Sequence, residues 1–518
     1  MHKCWGSKTV NVCDNWPDTP GAITELDNIG PPHWNVAFET LSDDVLLEIF
    51  DLCLDEDEDM DPWYDQGNEE DERHSYDAWY ALVHVCQRWR YVVFESPRRL
   101  NLRLHCTRRR VREMLGVWPA LPIIIWDMVA FTSNDNTIAA LEHRDRVCEI
   151  KLGRLTRLQS EKLVPLMQEP FPALTKLQIE SNSSASDELP VLPDSFLGGS
   201  TPDLRFLCLS YILFPALPNL LRSASNLIYL FLDNIPSGYI SPEMAAALSA
   251  LSKLEVMHIF FRYADSDSDL TVPAPPPLTR SVLPALNVLK LDGDGGYLDD
   301  FLGRIDVPSI KCLRIEFIDT RPFFNNFFHL PQLIGRVEKF RSLDYARFHL
   351  SPHAMEVTLS PLRWARGSFP GELQLKSSYS TDGPLPHLMD AFNLSLLPLS
   401  NIENINICAP YSPPDSQSGF YTGDPRWLEV LRQFSGAKSL YLESMNLVPP
   451  VALALKQVIE EGMTDVLPAI QELTVFEPLS AGPVREAIEQ FVTARGLSAF
   501  GTPPSSKWRI STRDTDEG

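Results

Sequence analysis

The chain has 518 residues and carries 45 Lys and Arg residues against 69 Asp and Glu residues, a formal net charge of −24. This excess of negative charge argues against nucleic acid as a partner, because proteins bind phosphate backbones with clustered cations. The apolar runs are short, the longest lying around Ile123–Trp126, whereas a helix that spans a bilayer needs about 20 apolar residues. We therefore expect neither nucleic-acid binding nor a membrane span.

Targeting and cysteine patterns point to an intracellular protein. The N-terminal sequence has no continuous apolar segment like that of a secretory signal, which indicates a cytoplasmic or nuclear chain. The nine cysteines are widely scattered and form no C-x-x-C pair, which argues against a disulfide framework and a zinc site. We expect reduced thiols and no cofactor or metal.

The two ends of the chain are predicted to be loosely ordered. Residues 1–37 are rich in Asn, Asp, Pro and Gly and show no sustained hydrophobic period, which predicts a flexible N-terminal arm. Residues 501–518 follow the last periodic segment, and we interpret them as a C-terminal tail.

A helix is predicted to begin at Asp43. Ser42 can cap its free backbone amides, and Asp43 and Asp44 suit the positive end of the helix dipole. Its apolar face occupies positions i, i+3, i+4 and i+7, namely Leu46, Ile49, Phe50 and Cys53.

An acidic run follows this helix. Between Asp55 and Glu72, eleven of eighteen positions are Asp or Glu. Such a run repels itself and stays solvated, so we predict a loop rather than a specific acidic docking site. Beyond it, alternating steps of three and four residues indicate a second helical stripe, or two short ones in succession, through Trp79, Leu82, Cys86, Trp89 and Val93.

Together these helical segments resemble an F-box. The residues that carry the resemblance are Leu41-Ser42-Asp43-Asp44-Val45-Leu46-Leu47-Glu48-Ile49-Phe50 followed by Val85-Cys86-Gln87-Arg88-Trp89-Arg90. F-box proteins are subunits of cullin-RING ubiquitin ligases, so the resemblance implies a small all-α three-helix domain over residues 38–105, with an acidic insertion at 55–75, that binds a Skp-type adaptor and, through it, a cullin scaffold. The residues that would pack this domain and contact the adaptor are Leu41, Val45, Leu46, Ile49, Phe50, Val85, Cys86 and Trp89.

The segment departs from the family pattern in three ways and has an alternative interpretation. Ser42 stands where the family usually has Pro, and Leu100 sits near the family's usual late Trp. The link from Phe50 to Val85 spans 85 − 50 = 35 residues because of the acidic insertion. Residues 41–94 could instead form a helical cap over the end of a repeat array, since terminal repeats need protection from solvent. Helical periodicity is the same for an F-box and for a helical cap, so it does not distinguish these two interpretations. The Val-Cys-x-x-Trp arrangement favours the F-box.

A basic cluster follows the acidic run. It could bind phosphate groups, although an exposed face that balances the preceding acids explains it more simply. Its members are Arg98, Arg99, Arg103, Arg108, Arg109, Arg110 and Arg112.

From about residue 143 onward a short phrase recurs: an apolar residue, two spacers, an apolar residue, one spacer and a third apolar residue. The last three positions place two apolar side chains on one side of a strand. The gap of 402 − 343 = 59 residues near the middle is about two periods, and Leu373-Gln374-Leu375 is our candidate for the missing copy. The eleven copies start at Val147, Leu174, Leu204, Leu227, Leu254, Leu286, Ile310, Leu343, Ile402, Ala437 and Ile470.

Helical periodicity separates several of these strands. A single strand-plus-helix cannot bury both of its apolar faces, whereas stacked copies form one continuous core. We therefore predict a curved solenoid over residues 106–500, with helices at 242–251, 426–434, 451–461 and 484–495.

The repeated phrase resembles the leucine-rich repeat over roughly residues 143–480. The Asn or Cys that this family has after the strand is replaced by acids, namely Glu180, Asp233, Asp292, Glu316 and Glu443. The resemblance implies an α/β solenoid, an irregular leucine-rich-repeat horseshoe, preceded by the small F-box-like domain.

We find no catalytic motif. The sequence contains no G-x-x-x-x-G-K-[ST] loop, no H-E-x-x-H helix and no G-x-S-x-G elbow. The segment from Asp292 to Gly296 hints at a calcium loop, but Tyr297 and Gly303 stand where an EF-hand needs Gly and Glu. We expect a turn after a strand there, and we name no catalytic residue.

These observations lead to one hypothesis and two rivals. The hypothesis is a non-catalytic substrate receptor whose F-box-like domain binds the ligase adaptor and whose repeats bind a target protein. The rivals are a repeat scaffold that acts outside any ubiquitin ligase and an enzyme whose residues come from distant repeats. Strand positions predicted to be exposed, and therefore candidates for target contact, include Lys176, Arg205, Tyr229, Phe231, His258, Lys290, Arg314 and Tyr441.

Overall fold

A computed structural model describes the chain over the following ranges: 41–53, 82–83, 85–96, 103–106, 111–117, 120–128, 135–182, 189–236, 242–262, 280–317, 328–351, 354–361, 373–378, 399–409, 426–443, 447–475, 482–497 and 509–510. The N-terminal arm at 1–37 and the acidic insertion at 55–75 lie outside the described residues, as do five of the arginines in the basic cluster.

The chain divides into two compact units, residues 1–102 and residues 103–518. We call them unit 1 and unit 2.

The described part of unit 1 contains helices α1 (Asp43–Cys53) and α2 (Gln87–Glu95). The start of α1 at Asp43 is confirmed, and the Ser42 Oγ accepts a hydrogen bond from the Val45 N–H at 3.3 Å. Residues 82, 83 and 85 are helical, and Cys86 then adopts an extended conformation and caps α2. The second apolar stripe therefore consists of two short helical segments in succession.

Unit 2 is built on a large, mostly parallel sheet. Its strands are β1 (Leu104–His105), β2 (Ile123–Asp127), β3 (Val147–Leu155), β4 (Lys176–Ser181), β5 (Phe206–Ser210), β6 (Tyr229–Ile235), β7 (Val256–Phe261), β8 (Ser281–Val282), β9 (Val288–Gly293), β10 (Ile305–Asp306), β11 (Cys312–Phe317), β12 (Tyr345–Leu350), β13 (Ala354–Ser360), β14 (Leu373–Ser378), β15 (Asn404–Cys408), β16 (Ser439–Leu442), β17 (Glu472–Val475) and β18 (Arg509–Ile510). Sixteen of these described strands form one sheet, and β8 pairs with β10 separately.

The predicted copies occupy equivalent places in this sheet. The middle apolar residues of consecutive copies pair directly, in the order Ile150, Leu177, Leu207, Leu230, Met257, Leu289 and Leu313. All three apolar positions of all eleven copies are buried, none with more than 7% exposure. The repeat period is thus confirmed, and the fold of unit 2 is an α/β solenoid.

Helices connect the strands and cover the apolar side of the sheet. Phe348 on β12, for example, packs against Phe434 with ring centroids 5.5 Å apart. The four helices that the sequence predicts are present with ends shifted by a few residues. The helices of unit 2 are α3 (Val111–Val117), α4 (Asp135–Leu141), α5 (Arg157–Leu163), α6 (Leu217–Ser223), α7 (Pro242–Leu248), α8 (Gly295–Arg304), α9 (His329–Arg336), α10 (Arg426–Arg432), α11 (Val448–Glu460) and α12 (Pro483–Ala494).

The strand order departs from chain order at one place. The sheet runs β11-β14-β13-β12-β15, so β14 lies beside β11 and not between β12 and β15. β13 is antiparallel to both of its neighbours. The Leu373–Leu375 candidate is a strand of the sheet with both leucines buried, but it lies beside β11 and not between the Leu343 and Ile402 copies. The reason is that the chain crosses to β12 first and then returns through β13 to β14.

The sheet extends beyond the copies found in the sequence. β1 and β2 precede the first of them, and β1 lies within the 38–105 range assigned to the F-box-like domain. At the other end, β18 pairs with β17 and lies within the segment interpreted as a tail. These strands are short or lack the full three-position phrase, which explains why the pattern did not reveal them.

The Asp292–Gly296 segment has an ordinary structural role. It ends β9 and begins α8, and the Asp294 Oδ1 accepts a hydrogen bond from the Gly296 N–H at 2.8 Å. Among the described residues, no helix combines the length and the hydropathy that crossing a bilayer requires.

Candidate functional site

Unit 1 has a small apolar core of its own. Leu46, Leu47 and Phe50 on α1 are buried, as are Val92 and Val93 on α2. The Phe50 and Trp89 rings are in contact, with centroids 4.9 Å apart and planes inclined by 59°. Helices α1 and α2 thus pack on each other through the side chains that the sequence pattern selects.

Arginines of α2 fix this packing. The Arg88 guanidinium donates hydrogen bonds to the Leu41 carbonyl oxygen and to the Asp43 Oδ1, the latter at 2.8 Å. The Arg90 Nε donates to the Val83 carbonyl oxygen at 3.0 Å. The start of α1 and the short segment before α2 are therefore both tied to α2.

Several large apolar side chains of unit 1 remain exposed. On α1, Val45 is 43% exposed and Leu52 80%. Val85, just before α2, is 58% exposed, and Tyr91, on α2, is 63% exposed. Ile49 lies between Val45 and Leu52 on α1 and is half-buried. We call these five residues the apolar face of unit 1.

The eight residues predicted to bind the adaptor divide between the core and the surface. Leu46 and Phe50 are fully buried, Val45, Val85 and Cys86 are exposed, and Leu41, Ile49 and Trp89 are half-buried. The sequence analysis missed Leu52 and Tyr91. Leu52 continues the i, i+4, i+7 spacing of Val45 and Ile49, a signal that could have identified it.

In unit 2 the side of the sheet opposite the apolar rows carries the residues between them, because strand side chains alternate. We call this side the open face. One row on it is formed by Lys151, Gln178, Cys208, Phe231, His258, Lys290 and Arg314, which pair in this order. A second set of residues lies nearer the C-terminal ends of the strands, and we call it the edge row. Glu180, Ser210 and Asp233 pair in this order, as do Phe260, Asp292, Glu316 and Lys376, and the register between β6 and β7 shifts beyond Leu232.

Aromatic rings cluster on the open face. Phe206 and Tyr229 stack with centroids 4.5 Å apart and planes at 6°. Phe231 contacts both His258, at 6.1 Å between centroids, and Phe260, at 5.3 Å. The cluster extends over three consecutive strands, β5 to β7.

Lysines already lie over aromatic rings on this face. The Lys151 Nζ is 3.9 Å from the centroid of the Trp126 ring, and the Lys176 Nζ is 5.0 Å from that of Phe206. Both distances are within the range of an attractive cation–π contact.

Three of the eight residues predicted to be exposed for target contact are buried. Phe231 is 6% exposed, and His258 and Tyr441 are each 2% exposed. Neighbouring strands cover them: Phe231 and His258 contact each other, and the Tyr441 hydroxyl donates a hydrogen bond to the Glu472 Oε2 at 3.0 Å. Arg205 is exposed, and Lys176, Tyr229, Lys290 and Arg314 are half-buried.

Two carboxylates of the edge row have strongly raised pKa values. Burial raises the pKa of Asp292 to about 7, and the nearby Glu316 carboxylate adds to the effect. Burial raises the pKa of Asp233 to about 6, with a further contribution from Glu180. Each carboxylate would therefore gain from a cation placed beside it.

His258 shows the opposite effect. Burial, together with the positive charges of Lys290 and Arg314, lowers the pKa of His258 to about 3. The imidazole is therefore neutral at physiological pH, and the distance between its Nδ1 and the Tyr229 hydroxyl oxygen is 3.4 Å.

The described residues show no metal site, and burial keeps two of their thiols protonated. Within them, no group of three or more His, Cys, Asp or Glu side chains could hold a metal ion. Burial raises the pKa of both Cys106 and Cys208 to about 12, which keeps these thiols protonated and weakly nucleophilic.

Comparison with known proteins adds little to this picture. No protein-family model matches the chain, and no curated protein matches its sequence. Among solved structures, the chain is similar to the leucine-rich repeat-containing protein LegL7 from Legionella pneumophila, with 10% identity and a TM-score of 0.27, covering 72% of this chain and 98% of that chain. A TM-score this low does not support a shared fold, so the fold assignment rests on the strand register of the chain itself.

Proposed function

We propose that the protein is a non-catalytic substrate receptor of a cullin-RING ubiquitin ligase. Unit 1 docks onto a Skp-type adaptor, which links it to the cullin, and the open face of unit 2 binds a target protein. The receptor's contribution is proximity, since it raises the effective concentration of the target near the subunit that transfers ubiquitin.

The observation that carries the proposal is the apolar face of unit 1. A unit with its own buried core still exposes Val45, Leu52, Val85 and Tyr91. Val45, Ile49 and Leu52 form one stripe of α1 at positions i, i+4 and i+7, and an exposed apolar stripe of this kind is typical of a protein–protein interface. The resemblance to the F-box indicates which partner covers them.

The test is retention of a purified Skp-type adaptor by the full chain and by a Val45→Asp/Val85→Asp double variant. Both positions are exposed, so the core of unit 1 stays intact, whereas a change at the fully buried Phe50 would unfold it. Because burial of each valine contributes about 1.5–3 kcal/mol, we expect adaptor affinity to fall about tenfold or more.

A Leu158→Asp/Leu453→Asp double variant is the matched control. These leucines belong to helices of unit 2 and are 70% and 54% exposed, so the control introduces the same two charges at exposed apolar positions that are not part of unit 1. The control should retain the adaptor as the unchanged chain does. If both double variants retain it equally, or if the unchanged chain does not bind it, the ligase role is wrong.

The second candidate is a repeat scaffold that acts outside any ubiquitin ligase. The open face favours it independently of unit 1, because an array of parallel strands presents many variable side chains on one continuous surface. Binding of a target without binding of the adaptor would select this candidate.

A further inference from the structure

In the edge row, an aromatic residue lies on the strand between two strands that carry carboxylates. Asp233 is on β6, Phe260 on β7 and Asp292 on β9, which are three consecutive strands of the sheet. Phe260 is in direct register with Asp292. Since neighbouring strands lie about 4.8 Å apart, the backbone positions of the two carboxylates are about 10 Å apart, with the Phe260 backbone between them.

These two carboxylates lack counter-ions. Among the described residues, neither Asp233 nor Asp292 forms an ion pair, and the Asp292 Oδ1 is buried without a hydrogen-bond partner. The cation nearest in the row, Lys376, pairs with Glu316. A buried carboxylate oxygen with no donor is costly, and a cationic group from another molecule would remove that cost.

Rings of the open face already bind ammonium groups within the chain. Lys151 on β3 lies over Trp126 on β2, and Lys176 on β4 lies over Phe206, which belongs to the aromatic cluster. Phe260 is also on this face and half-buried, and Asp292 is in direct register with it on the next strand. The combination of a ring and two acidic groups complements the flat, cationic head of an arginine or the ammonium of a lysine.

We propose that Asp233, Phe260 and Asp292 bind an arginine or lysine side chain presented by the target protein. The cationic head lies against the Phe260 ring and takes hydrogen bonds to the two carboxylates. This inference rests on the proposed function only in that the open face contacts the target.

The surroundings of the two carboxylates predict how binding depends on pH. Asp292 is flanked by Lys290 on its own strand and by Glu316 on the neighbouring β11. One strand further out on either side are Asp233 on β6 and Lys376 on β14. Asp233 is flanked by Glu180 and Tyr211. The strand between the two acids carries His258, which is neutral, and Arg262. A cation binds the deprotonated acids, so its affinity should rise as pH increases through about 6 and 7.

The experiment measures binding of a fluorescent nona-arginine peptide to the full chain by anisotropy, at moderate salt. We compare the unchanged chain with an Asp233→Asn/Asp292→Asn double variant, which retains side-chain size. The control is Glu460→Gln/Glu489→Gln, which removes two exposed carboxylates that pair with Lys456 and Arg485 on helices. Both double variants change net charge equally, so non-specific attraction to an acidic protein affects them alike.

We expect three results. At pH 8 the Asp233→Asn/Asp292→Asn variant binds about tenfold more weakly than the unchanged chain, and the control binds within about twofold of it. The unchanged chain binds about tenfold more weakly at pH 5.5 than at pH 8, whereas the asparagine variant shows no such dependence. A Phe260→Leu variant binds about threefold more weakly, as loss of one cation–π contact predicts.

Other outcomes overturn the inference. If the asparagine and glutamine variants weaken binding equally, or if the unchanged chain does not bind the peptide, the site does not exist. Thermal unfolding of each variant shows that it is folded, which is expected because the asparagine changes relieve repulsion. Adaptor retention is measured in parallel. If the chain binds the peptide but not the adaptor, only the ligase role is wrong. If it binds the adaptor but not the peptide, only the proposed cation-binding site is wrong.

Discussion

At the scale of single residues, burial on the open face acts in opposite directions on a histidine and on two acids. His258 is neutral because burial lowers its pKa to about 3, whereas burial raises the pKa of Asp292 to about 7. The sequence predicted His258 to be exposed on a strand and Asp292 to lie in a turn after one, and neither expectation anticipated the burial of these side chains. Burial depends on the size of the side chains on adjacent strands, which the local pattern does not contain.

His258 predicts a loss of stability in acid. Its pKa is 6.5 in the unfolded chain and about 3 in the folded one, so the unfolded state binds more protons between these values and stability falls as pH drops below 6.5. A His258→Gln variant cannot titrate. Relative to the unchanged chain, its free energy of unfolding should rise by about 2 kcal/mol between pH 7 and pH 5, measured by urea unfolding.

Asp292→Asn is the opposing control for this prediction. In the unchanged chain, the pKa of the Asp292 carboxyl is higher in the folded state than in the unfolded state, so the folded state binds more protons and gains stability as pH falls from about 7 towards 4. The asparagine variant lacks that gain, and its free energy of unfolding relative to the unchanged chain should therefore fall over the same range. Parallel pH curves for both variants would contradict the assigned burial of these groups.

At the scale of elements, contacts between segments that are distant in the chain determine features that the local sequence does not predict. Helix α9 illustrates this, because Phe328 before it cannot cap its amides. The Asp299 carboxylate on α8 accepts hydrogen bonds from the backbone N–H groups of Phe328, His329 and Leu330, at 3.0, 2.9 and 2.9 Å. A cap supplied from another helix has no signature at the helix start itself.

The order of β12, β13 and β14 can be tested by cross-linking. In the structure Arg314 on β11 is paired with Gln374 on β14, whereas Arg347 on β12 is two strands from Gln374. An Arg314→Cys/Gln374→Cys variant should therefore form a disulfide under mild oxidation, detected by peptide mapping. Directly opposite strand residues are close enough for this bond, and residues about 10 Å apart are not.

Arg347→Cys/Gln374→Cys is the matched control for strand order. It would form the disulfide if β14 followed β12 in the array, as chain order alone suggests, and it should not do so in the observed order. Peptide mapping also separates any bond to the native Cys408, whose Sγ lies 3.4 Å from the Arg347 Nε. A disulfide between positions 347 and 374, without one between positions 314 and 374, would show that the β11-β14-β13-β12-β15 strand order is wrong.

At the scale of the whole molecule, stability should be local within the array, because each repeat contacts only its neighbours. Leu230 and Leu473 hold the same middle position in a central and a late copy, and both are fully buried. Replacing either with alanine should cost about 2–5 kcal/mol. Hydrogen exchange should then increase around β5–β7 for Leu230→Ala and around β16–β17 for Leu473→Ala.

The outcome that opposes this expectation is equally specific. If either alanine variant increases exchange evenly across the sixteen-stranded sheet, the sheet unfolds as one cooperative unit and not as a chain of neighbouring repeats. A matched exposed change, Leu158→Ala, should leave exchange unaltered in both regions, since Leu158 is on the surface of α5.

Local pattern was sufficient for the repeat period, the start of α1 and the identity of the core rows, because alternation and helical spacing depend only on residues near each other in the chain. It was not sufficient for the β11-β14-β13-β12-β15 order, for the burial of Phe231, His258 and Tyr441, or for the place of Phe260 on the strand between those of Asp233 and Asp292. Each of these depends on which segments become neighbours in space. Long-range strand pairing determines which segments become neighbours. The side chains of a single strand do not specify its partners across the sheet.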